Sequence, residues 1–194
     1  GLTLSHRLWL APMCQYSSVD GMPSDWHMVH LGSFAIGRVG LIMTEATAVS
    51  PEGRITPDDV GIWKDEHAEA WRKVVDFVHG MDSAIGIQLS HAGRKASTFP
   101  PTRGRGSVPL DDRGWTTVGP SAVAYGEFTT PDELDADGIA KVISDHIDAA
   151  RRAVDAGFDL IEIHAAHGYL LGQFLSPTSN RRTDKYGGDA LGRA

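Results

Sequence analysis

One cysteine, Cys14, stands among 194 residues, so the chain forms no internal disulfide and fits a reducing compartment. No apolar run reaches the roughly 18 residues that a membrane-spanning helix needs, and no signal-peptide pattern opens the sequence. Excess positive charge is missing too: 18 Lys and Arg face 25 Asp and Glu, for a net charge of -7. That balance argues against nucleic acid or an anionic membrane as partner, and a cytoplasmic location is expected. The Gly-rich turn that follows the first strand of dinucleotide-binding sheets is absent, and Pro12-Met13-Cys14-Gln15-Tyr16 stands in its place. The sequence opens on Gly1 and closes on Leu191-Gly192-Arg193-Ala194, which does not read as a finished helix. Both ends read as cuts through a longer protein.

What is present is a repeated strand-then-helix pattern. Leu8–Ala11 is a short apolar strand stopped by Pro12, and Trp26–Val39 carries Met28, Leu31, Phe34 and Ala35 at helical spacing. Ser24 or Asp25 is the candidate cap, and Gly40 is the stop. The second unit is strand Leu41–Ala46 with helix Asp65–Gly80, whose stripe is Trp71, Val74, Val75 and Val78. Strand Ala84–Leu89 and helix Asp135–Gly157 follow, the helix showing Ile139, Val142, Ile143, Ile147, Ala150 and Val154. Strand Leu160–His164 opens a fourth unit. Alternating strands and helices imply a parallel sheet with right-handed crossovers. The expected fold is an α/β TIM (β/α)8 barrel, of which residues 1–194 supply one partial domain with about the first four units. A doubly wound sheet is the competing architecture. The segment from about Ser90 to Leu134 reads as one long loop rich in Gly, Pro, Arg and Asp. A loop of that length inside a compact domain is usually functional, with disorder as the alternative.

The most informative segment is Ile161-Glu162-Ile163-His164-Ala165-Ala166-His167-Gly168-Tyr169. Side chains alternate along a strand, so isoleucines facing the helices leave Glu162 and His164 facing the barrel axis. Barrel chemistry sits at the C-terminal ends of strands. Two imidazoles there can grip one polarised oxygen, and a phenol can deliver a proton. The plainer reading is a pair of histidines satisfied by backbone carbonyls. Elsewhere Cys14 is a small buried hydrophobe or a site thiol. Gln88 can donate and accept toward a planar ligand, and Arg94 and Lys95 hold a phosphate or merely cover a rim. A metal is not expected: His164 and His167 lack the i, i+4 spacing of helical zinc motifs, and only Glu162 and His91 stand near as further ligands.

These segments resemble one family. The matching runs are 11–16 (Ala-Pro-Met-Cys-Gln-Tyr), 25–27, 40–49, 51–55, 61–63, 88–95, 119–121, 164–169 and 179–188, in order along nearly the whole chain. The sequence is similar to the old yellow enzymes, FMN-dependent ene-reductases on an α/β barrel, and most similar to their NADPH dehydrogenase and xenobiotic reductase branch. The resemblance implies that Ala11, Pro12, Met13 and Cys14 line FMN, with Ala46 and Gln88 against the isoalloxazine. Tyr16 would border the substrate, His164 and His167 would hold its carbonyl or nitro oxygen, and Tyr169 would donate the proton. It further implies NADPH or NADH as reductant. The implied substrates are small molecules (activated alkenes, nitro compounds or quinones), and the intact protein would be a homo-oligomer. Two positions depart from the pattern: His6 replaces an asparagine, and Asp189-Ala190-Leu191-Gly192-Arg193 keeps only the family's arginine. A half-barrel of this kind is expected to bind FMN weakly or not at all and to be inactive alone.

Overall fold

All eight side chains of the run Leu41–Ala48 are buried, which requires a strand covered on both faces. A computed structural model describes residues 1–194. In chain order it contains β1 (Trp9–Leu10), α1 (Asp25–Ile36), β2 (Leu41–Ala48), α2 (Asp65–His79), β3 (Ala84–Ser90), β4 (Val118–Gly119), β5 (Asp132–Glu133), α3 (Ala136–Ala156), β6 (Leu160–Ile163), α4 (Leu170–Leu175) and α5 (Ala190–Arg193). The main sheet is parallel throughout, in the order β1-β2-β3-β6. Consecutive strands lie side by side with α1, α2 and α3 as crossovers, the arrangement of successive units in a barrel. No helix is long and apolar enough to cross a membrane.

The core lies between the sheet's outer face and the helices. Ile85, Ile87 and Leu89 of β3 face Trp71, Val74, Val75 and Val78 of α2, and Ala149, Ala153 and Ala156 of α3 close the layer. The intervening Gly86, Gln88 and Ser90 therefore face the barrel interior. On β2 the alternation is broken. Met43 pairs with Gly86 but Ala46 pairs with Gln88, so β2 spends one extra residue at Thr44–Glu45. This β-bulge switches the phase of the strand. Ile42, upstream, belongs to the helix-side core, while Ala46, an even number of residues later, is in register with the inward-facing Gln88. Hydroxyls close the irregularity: Thr47 Oγ1 donates to the Glu45 carbonyl at 2.9 Å, and the Gln88 N–H donates to Thr44 Oγ1 at 3.3 Å.

Several expected features differ. β1 is two residues rather than four, and β2 runs two residues further than expected. α1 begins after Ser24 and ends at Ile36 with Gly37 as its cap, three residues before Gly40. On α3 the expected stripe holds only at its start: Ile139 and Val142 are buried against Leu134 and Leu170, whereas Ile143, Ile147 and Val154 are exposed and alanines make the contact with the main core. Small side chains let the helix approach the sheet closely, so size outranks hydrophobicity there. The 90–134 segment holds a short helical turn at Gly93–Lys95 and the β4–β5 pair. It is tied back by Thr98, whose N–H and Oγ1 both donate to the Ile55 carbonyl at 2.9 and 3.0 Å. Leu8 and Trp9 stay exposed at one edge of the sheet and Ile163 at the other.

Candidate active site

Cross-strand register assembles the floor of the site. Ala46, Gln88 and Glu162 lie opposite one another on β2, β3 and β6, and Gln88 Nε2 donates to Glu162 Oε1 at 2.6 Å. A cavity of about 300 Å³ opens above them, lined by Ala11, Pro12, Cys14, Ala46, Ile55, Gln88, His164, His167 and Tyr169. Eight of these nine residues are among those singled out in the sequence. Met13 is not among the lining residues, being nearly half exposed with its carbonyl accepting from Gln15 Nε2 at 2.7 Å. Tyr16 also lies outside the lining set. The residue that sequence reasoning passed over is Ile55. It sits in an irregular loop with no periodicity to mark it, between Arg54 and Thr56.

The three groups at the end of β6 face one another edge to face. Ring centroids are 5.0 Å apart for His164 and His167, 5.1 Å for His164 and Tyr169, and 6.2 Å for His167 and Tyr169. Burial, reinforced by the neighbouring His167, lowers the His164 pKa, so its ring is neutral and keeps one N–H to donate. Burial pushes the Tyr169 phenol up to about 12, which leaves it protonated across the physiological range. The Cys14 thiol is also pushed up to about 12, by burial first and then by the charges of Asp59 and Glu45. It is therefore a neutral thiol, not a thiolate nucleophile.

Two buried carboxyls brace the site from behind. Glu45 Oε1 lies 3.1 Å from His27 Nε2, and its Oε2 accepts from the Gln15 N–H at 2.9 Å. The His27 Nδ1 accepts from the Ser24 N–H at 3.0 Å, which leaves Nε2 to carry the proton toward Glu45. The His27 ring also meets Trp71 edge to face at 5.7 Å. Asp59 accepts from the Thr56 hydroxyl at 2.6 Å and the Ile55 N–H at 2.8 Å, and so fixes the loop that delivers Ile55.

Burial raises the Asp59 carboxyl to about 7 despite those hydrogen bonds. The folded chain then binds this proton more tightly than the unfolded chain, whose carboxyl titrates near about 3.9. The stability contributed by protonated Asp59 is full below about pH 4 and is lost as pH rises to about 7. Asp59→Asn can still accept from the Ile55 N–H and can offer its amide to Thr56. It is expected to flatten the fall in stability between about pH 4 and 7, read from urea midpoints across that window. An unchanged slope would show that Asp59 does not govern it.

The family model described as the NADH:flavin oxidoreductase / NADH oxidase family matches residues 1–194. The chain belongs to that family. Among flavin oxidoreductases it is 51% identical over 193 residues to an NADH:flavin oxidoreductase of Gibberella zeae, covering 97% of this chain and 47% of that protein. It is 48% identical over 195 residues to an NADPH dehydrogenase of Bacillus subtilis, covering 99% and 53%. In structure it matches morphinone reductase with a TM-score of 0.86 at 34% identity, over 99% of this chain and 52% of that one. The old yellow enzyme homologue of Zymomonas mobilis matches at 0.80 and 33% identity, over 96% and 52%. The chain thus spans about half the length of the relatives it matches, and its fold is half of a TIM barrel.

Proposed function

We propose that the cavity above Ala46 and Gln88 receives the isoalloxazine ring of FMN. Within a completed barrel the site would carry hydride from NADPH or NADH to the activated C=C bond of an α,β-unsaturated carbonyl or nitro compound. The residues fit such a ring. Ala46 offers no bulk, Gln88 offers an amide anchored by Glu162, and the thiol of Cys14 is uncharged. Ala11, Pro12, Cys14, Ala46 and Gln88 would hold FMN, which would supply the hydride-transfer chemistry between nicotinamide and alkene. The rest falls to the chain's own side chains. His164 and His167 converge where the substrate oxygen would sit, and N–H donors there stabilise the negative charge that builds as hydride arrives. Tyr169, held as a neutral phenol, can then give its proton to the α-carbon.

The observation that carries this reading is the convergence of His164, His167 and Tyr169 on one cavity with Cys14, Ala46 and Gln88. The test joins residues 1–194 to the half of the Bacillus subtilis NADPH dehydrogenase that the chain does not match. With FMN present, NADPH oxidation should rise on adding 2-cyclohexenone, with loss of the enone absorbance. NADPH oxidation that consumes only oxygen would sink the reading. The chain alone is expected to retain little FMN, because both sheet edges are open. Those apolar edges support a second reading, a half-barrel that works by self-association. A colourless dimer on a sizing column would favour it.

A further inference from the structure

The loop bearing the second histidine has a backbone that needs support. His167 and Gly168 have φ of 54° and 68°, and the Tyr169 N–H donates to the Ala166 carbonyl at 3.1 Å across them. Two consecutive positive φ values inside such a bond are the pattern of a type I′ turn. Glycine adopts that conformation freely. A histidine does so only where its surroundings hold it, and this turn decides where the imidazole points.

The support comes from the loop after β3 and from α4. Lys95 Nζ donates to the His167 carbonyl at 2.7 Å. Gln173, fully buried, donates through Nε2 to the Gly168 carbonyl at 2.8 Å and the Ala92 carbonyl at 3.1 Å. Its Oε1 accepts from the Arg94 N–H at 3.2 Å. Gly93 has φ of 61°, and a side chain there would collide with the Gln173 amide. Each half of the left-handed turn thus has its own side-chain donor. Lys95 Nζ also lies 4.6 Å from the Tyr125 ring and 5.1 Å from the Tyr169 ring, so it is lodged between two aromatic faces.

We infer that Lys95 is a positioning residue that holds the His167–Gly168 turn, and through it the His167 imidazole, in the orientation used to bind the substrate oxygen. The inference rests on the role proposed above for His167. Its rival is that Lys95 reaches out to a dinucleotide phosphate, a role that would spare His167. The hydrogen bond to the His167 carbonyl decides for the turn.

The kinetic test uses Lys95→Met in the completed barrel, with the two half-reactions followed separately by stopped flow. Lys95→Met should slow enone reduction by chemically reduced flavin about tenfold or more, the range expected when a catalytic group is mispositioned. Lys95→Arg, which keeps a donor, should recover part of the rate. An effect confined to flavin reduction by NADPH would overturn the inference in favour of phosphate binding, and unchanged rates in both would overturn it outright. A second readout needs no turnover. In the full chain, Lys95→Met should speed hydrogen exchange at the Tyr169 amide about tenfold or more while leaving the His164 amide, bonded to Leu89, unchanged. Unchanged exchange at Tyr169 would overturn the inference even if enone reduction is found. Faster exchange without any enone reduction would leave the clamp standing and remove only the function assigned to it.

Discussion

Changing His164 and His167 together to alanine is expected to cut enone reduction by roughly 10,000-fold in kcat/KM, because each oxyanion donor is worth about 100- to 1,000-fold. The size follows from where the donors act. Their rings lie 5.0 Å apart, nearly perpendicular, on one wall of the cavity. A ground-state carbonyl gains modestly from them, whereas a developing enolate gains much more. The loss should therefore appear in the rate constant for enone reduction more than in substrate affinity. The two single variants should not multiply to the double, because the donors share one oxygen. The check is stopped-flow oxidation of reduced flavin by an enone, with flavin content matched between variants. A double variant within tenfold of the parent would remove both histidines from the chemistry. Tyr169→Phe is the natural companion, since it leaves both donors in place and removes only the proton.

Glu45→Ala is expected to destabilise the fold by about 2–6 kcal/mol, because it leaves two buried donors without an acceptor at about 1–3 kcal/mol each. Both side chains are about 2% exposed. Removing the carboxylate strands two donors, the His27 Nε2–H and the Gln15 N–H, where water cannot replace it. His27 in turn stands edge-on to Trp71 at the centre of the helix-side core. The damage should also reach the site. Gln15 lies between Cys14 and Tyr16, so losing its anchor frees the segment that forms one wall of the cavity. Urea midpoints followed by tryptophan fluorescence measure the first effect, and a double-mutant cycle with His27→Ala isolates the pair. A Glu45→Ala loss below about 1 kcal/mol would mean the pair is replaced by solvent or by relaxation.

Much of the architecture was legible from pattern. Continuous apolar runs marked the strands, and Trp71, Val74, Val75 and Val78 marked the buried face of α2. That the two histidines and the tyrosine share one cavity was legible because all three follow directly on the end of an apolar strand. Three things were not legible. The bulge at Thr44–Glu45 leaves the apolar run unbroken, and it exists because hydroxyls of Thr44 and Thr47 satisfy the displaced backbone. The C-terminal half of α3 buries Ala149, Ala153 and Ala156, which a search for large apolar residues passes over. Ile55 owes its place to Asp59 and Thr98, partners that no local pattern reveals.

The extra residue on β2 constrains how this protein can be recombined with its relatives. A strand counts in twos, so a junction placed between Met43 and Ala46 that dropped or added one residue would present the wrong side of everything downstream. Ala46 would turn toward the helices, and a larger neighbour would be pushed into the space reserved for a flat ligand. Chimaeras should therefore inherit residues 41–48 as a block from a single parent, whatever boundaries sequence identity alone would suggest.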